Sequence, residues 1–122
     1  MSPRERHPNE LKRIPEQQVS PHEIRWLAQV EVARADLEER WGPAELTRDD
    51  FAEWWCFAFA PAEGEAFLLL RAVRDAPADG FILSATSGLF SPRAADLLVR
   101  GLGVPGGRVV RLNADAVAQS DS

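Results

Sequence analysis

The run Trp54-Trp55-Cys56-Phe57-Ala58-Phe59-Ala60 constrains the fold of this chain more than any other segment. A stretch this long without a charge is an aggregation hazard on an open sheet edge, so something must cover it. Its composition and alternation predict a β-strand. Trp55, Phe57 and Phe59 then form a bulky core face, and Trp54, Cys56 and Ala58 a smaller one. Apolar groups on both sides place the strand centrally, or between two layers.

The segments that follow read as its neighbours. Pro61 to Glu65 is a turn containing Gly64, Ala66 to Arg74 a second strand, Asp75 to Gly80 another turn, and Phe81 to Thr86 a third strand. Turns this short join antiparallel neighbours, so a meander is expected. Ser91-Pro92 then opens a helix, with a hydroxyl cap and a proline at the first helical position. Ala95, Leu98, Val99 and Leu102 form its apolar face, Gly101 and Gly103 end it, and Gly106-Gly107 turns the chain into a last strand, Arg108 to Leu112.

On the N-terminal side, Ser20-Pro21-His22-Glu23 has the form of a capping box. Trp26, Val30, Ala33, Leu37 and Trp41 recur at helical spacing, and Gly42-Pro43 is a helix stop. These signals predict one long amphipathic helix ending at Trp41. Thr47, with Asp50 three residues later, predicts a short helical turn. The fold class is therefore α+β, in the order α-β-β-β-α-β: an antiparallel meander of three to four strands packed against a long N-terminal helix. Residues 1–19 read as a flexible basic arm, 20–112 as a single domain, and 113–122 as a polar C-terminal tail.

Chemistry is harder to find. Two histidines, His7 and His22, and one cysteine are too few and too dispersed for a structural zinc site. No catalytic residues, metal ligands or cofactor-binding motif stand out, and a non-enzyme is expected. Cys56, among aromatic residues, reads as a small core hydrophobe. A lone cysteine and a charged N-terminus without an apolar signal core point to the cytoplasm. The net charge of −5 disfavours nucleic acid as a partner, and no apolar run is long enough to span a membrane.

What remains unusual is four tryptophans in 122 residues. Interfaces favour tryptophan and arginine. The candidate binding residues are Trp26, Trp41, Trp54, Arg71 and Ser84.

A capped helix, the Trp54–Phe59 aromatic strand, and a Gly80-Phe81-Ile82-Leu83 strand closing at Ser87-Gly88 together resemble small bacterial immunity proteins of the YrhB-like kind, over roughly residues 20–102. The resemblance implies a protein that binds and blocks a toxin and performs no chemistry. Acidic secretion chaperones share the profile. The leading expectation is thus a non-catalytic protein-binding domain, an immunity protein or chaperone whose partner is another protein such as a basic toxin. One alternative is a small-molecule site between the sheet and the first helix, lined by Trp26, Trp41, Trp54 and Trp55 with Arg71 or Ser84 as polar handle. Another is an accessory subunit or homodimer that pairs through the aromatic strand.

Overall fold

The computed structural model describes residues 11–74 and 80–120. It holds one seven-stranded sheet in which every pairing is antiparallel. The strands are β1 (Lys12–Ile14), β2 (Ile24–Glu31), β3 (Glu45–Arg48), β4 (Glu53–Ala62), β5 (Glu65–Ala72), β6 (Gly80–Thr86) and β7 (Arg108–Leu112). The spatial order is β1-β4-β5-β6-β2-β7, and β3 also pairs with β4. β1 lies beside Ala58–Ala60 and β3 beside Glu53–Cys56, so these two short strands share one edge of β4. Among the described residues there are three α-helices, α1 (Arg34–Trp41), α2 (Pro92–Gly101) and α3 (Ala114–Ser120). None of these is long and apolar enough to cross a membrane.

The aromatic run is an inner strand, as its two-sided apolarity requires. Phe57 and Phe59 are fully buried on the helical side, where Phe59 stacks on Phe67 at 5.1 Å and meets the Trp41 ring edge-on at 5.2 Å. Leu37 of α1, Ala95, Leu98 and Val99 of α2, and Ala116 of α3 close over the same cluster. The meander β4-β5-β6 forms as read, and the Ser91 hydroxyl accepts from the Ala94 amide at 3.1 Å to cap α2. Trp55 lies on the same face but is only half-buried, with the Arg34 guanidinium 4.4 Å from its ring centre.

The long N-terminal helix does not exist. Ile24–Glu31 is a strand held between β6 and β7, and only Arg34–Trp41 is helical. The fold is a mostly antiparallel sheet with three short helices, not a meander packed on a long helix. A β-bulge is the reason for the helix-like spacing. The register with β6 shifts between Trp26 and Ala28, so Leu27 and Ala28 are both fully buried. One extra residue turns a period of two into something resembling a period of three to four. Beyond the bulge the alternation is clean: Val30 and Val32 are buried, and Gln29 is exposed. At the expected capping box the chain makes a turn, with the Glu23 amide donating to the Ser20 carbonyl at 3.0 Å.

Three smaller expectations also change. Leu46–Thr47 belongs to strand β3, where a helical turn was expected. Residues 11–19 of the expected arm form β1 and a 3-10 turn at Glu16–Gln18, with Val19 buried. Residues 1–10 lie outside the described part. The tail becomes α3, begun by Asn113, whose side-chain oxygen accepts from the Asp115 amide at 2.8 Å.

Candidate functional site

All three helices pack on one face of the sheet, and the opposite face carries the candidate site. Strand alternation fixes its membership. Across β4, β5, β6, β2 and β7 the register aligns Cys56, Leu70, Ile82, Gln29 and Arg111. The next row aligns Ala58, Leu68, Ser84 and Trp26, and Trp54 stands opposite Ala72 on the other flank. One corner is strapped by the 15–19 segment: Val19 packs with Cys56, Ala58 and Leu68, and Ile14 and Ile24 flank them. Elsewhere no described element lies over the face. Leu70, Ile82 and Trp54 are half-buried, Gln29 and Arg111 are exposed, and Trp26 is 37% exposed.

Trp54 continues into the β3–β4 turn. Asp49 holds this tip: its Oδ1 accepts from the amides of Phe51 (2.8 Å) and Ala52 (2.9 Å), and its Oδ2 accepts from the Trp54 indole (3.0 Å). These bonds, the Phe51 amide foremost, hold the Asp49 carboxyl below the usual carboxylate range. Phe51, fixed by the same tip, is 91% exposed. Glu53 binds Arg48 at 2.6 Å, which lowers the Glu53 carboxyl in turn. A depression of about 530 Å³ beside Phe51 is lined by Arg48, Asp49, Glu53, Ala72 and Arg74. Two of its acids are engaged, Glu53 by Arg48 and Asp49 by loop amides and the Trp54 indole.

The sequence candidates divide between the two faces. Trp26, Trp54 and Ser84 lie on the open face, with Ser84 8% exposed among its neighbours. Trp41 lies on the helical side, where its indole donates to the Leu102 carbonyl at 2.9 Å. Arg71 stands opposite Trp55 on that side as well. A sheet therefore separates Trp41 and Trp55 from Trp26 and Trp54, and the four cannot line one pocket. Nor can β4 pair edge-on with a second chain, because both its sides are occupied by β5 and by β1 and β3. Leu70 and Ile82, at the centre of the open face, were not among the candidates. Their signal is the apolar outer position of an inner strand, which the sequence does not distinguish from core.

Cys56 sits beneath this face, fully buried. Burial first, then the nearby carboxylates of Glu16 and Glu45, push its thiol up to about 12, so it stays neutral and unreactive. Among the described residues no group of three or more His, Cys, Asp or Glu is placed to hold a metal ion. No protein-family model, curated protein or solved structure matches this chain.

Proposed function

We propose that this chain is a non-catalytic protein-binding domain that docks its partner on the open face of the sheet. The observation that carries this reading is the apolar band Trp54, Leu70, Ile82 and Trp26, which crosses four adjacent strands with no described element over it. Helices cover the other face completely enough to bury Phe57, Phe59 and Phe67, whereas Leu70, Ile82 and Trp54 on the open face stay only half-buried and Trp26 is exposed. Contiguous apolar surface rimmed by polar residues, here Gln29 and Arg111, is what interaction sites present. Large aromatic side chains at both ends suit anchoring, because a held ring loses little entropy on binding.

Toxin neutralisation or escort is the concrete form this takes with a basic partner, which the net charge of −5 would steer toward the chain. The test is affinity capture in mild salt from the native host, with wild-type chain and the Ile82→Arg variant as paired baits. We expect a protein retained by the first and lost by the second, with both baits showing the same circular dichroism. Equal retention by both would contradict docking on this face.

A further inference from the structure

We infer that the Ser84 hydroxyl is a recognition group of the open face, which donates to an uncharged carbonyl oxygen on the docked partner, from a carboxamide side chain or the backbone. This inference rests on the protein-binding reading of the same face and names the chemistry that the face selects.

Phe81, Leu83 and Ala85 of β6 belong to the cluster under the helices, so Ile82 and Ser84 point the other way. Ser84 stands between Leu68 of β5 and Trp26 of β2. Among the described residues it is the one buried polar side chain, 8% exposed, and its hydroxyl meets no hydrogen-bond partner there. Thr86, two residues along the same side of β6, behaves differently. Its hydroxyl accepts from the Ala66 amide at 3.2 Å and donates to the Ala66 carbonyl at 3.3 Å. A hydroxyl taken out of water without a partner weakens a fold, and alanine would fill the same strand position without that cost. Such local conflicts with stability gather at functional sites.

The surroundings decide which group the hydroxyl takes. Its cross-strand neighbours Leu68 and Trp26 are uncharged, and so are Ile82 and Thr86 along β6. A charged group brought here would give up its water for a single neutral hydrogen bond, a poor exchange. A neutral carbonyl gives up far less and meets a donor that the fold has left unused. Trp26, 37% exposed, supplies an apolar wall beside the hydroxyl. Its backbone is fixed where it stands, because the Trp26 carbonyl accepts from the Asn113 side chain at 2.7 Å. The group is therefore received by a hydroxyl and a ring that are both in place before docking.

Two measurements on the full chain test this. In thermal unfolding without a partner, Ser84→Ala should raise the midpoint by about 3–6 °C, because it removes an unmet hydroxyl. A hydroxyl that merely supports the fold gives the opposite shift. In an NMR titration of isotope-labelled chain at neutral pH, isobutyramide should move the backbone amide at position 84 and the Trp26 indole proton in wild type, and neither in Ser84→Ala. Isobutyrate, of the same shape but charged, should move neither in wild type. A midpoint at or below that of wild type overturns the inference. So does the absence of a response to the amide, an equal response to amide and acid, or a response that survives in Ser84→Ala. The protein-binding reading is judged separately, by capture with Ile82→Arg. If the Ser84 results fail and Ile82→Arg still loses the captured protein, docking on this face stands without the Ser84 contact. If the Ser84 results hold and Ile82→Arg retains the protein, the docking reading falls and the hydroxyl no longer has a protein partner to serve.

Discussion

Arg13 ties the first strand to the first helix. Its guanidinium lies 4.8 Å from the Phe57 ring centre and donates to three carbonyls at and just past the end of α1: Trp41 at 2.9 Å, Gly42 at 3.2 Å and Pro43 at 2.9 Å. The Trp41 carbonyl is one that the helix end leaves without an intrahelical partner, and a cation there also meets the negative end of the helix dipole. Arg13→Met keeps the stem and removes the donors, and we expect a loss of about 2–3 kcal/mol in urea unfolding. Arg13→Lys should recover only part of this, because an ammonium cannot reproduce the planar fork. Asp49 is the corresponding residue on the open side. Its carboxyl is lowered in the folded chain, so its contribution to the tip is present above the ordinary value of about 3.9 and is lost as pH falls below that. An NMR titration of the Trp54 indole proton should show the bond to Asp49 intact at neutral pH and broken only in acid below that ordinary value. A midpoint above it would show that the loop amides do not hold the carboxylate.

At the scale of elements, Gly42 decides where α1 ends. It has φ 97° and ψ 174°, a region essentially closed to residues with a Cβ. Gly42→Ala should cost about 1–3 kcal/mol in thermal unfolding, whereas Gly107→Ala, at a glycine without positive φ, should cost less. That helix stop was legible from Gly42-Pro43. So were the aromatic strand, the meander and the Ser91-Pro92 start of α2, since each rests on local chemistry that the tertiary fold reinforces. The start of α1 was not legible. Leu37 and Trp41 are truly helical neighbours, but Trp26 and Val30 belong to a bulged strand whose extra residue imitates their spacing. What decides for strand is the open position between β6 and β7, a long-range fact that no local window contains. The same holds for the site. Trp26, Trp54 and Ser84 were nameable from their chemistry, but their separation from Trp41 and Arg71 follows from the sheet.

As a whole, the molecule is a sheet with one face sealed by three helices and the other only strapped at a corner by Val19 and its neighbours. That asymmetry is the basis for the proposal of protein binding, and it generates a direct contrast between two apolar positions, one on the open face and one on a helix. Ile82 lies at the centre of the open face, and Leu97 lies on the outer side of α2, 38% exposed. Site-specific photo-crosslinking in the native host, with a benzophenone side chain placed at either position in the full chain, compares them under one condition. We expect discrete protein adducts at position 82, whether with a second copy or a different protein, and none at position 97. Adducts at 97 with none at 82 would show that the open face is not the docking surface.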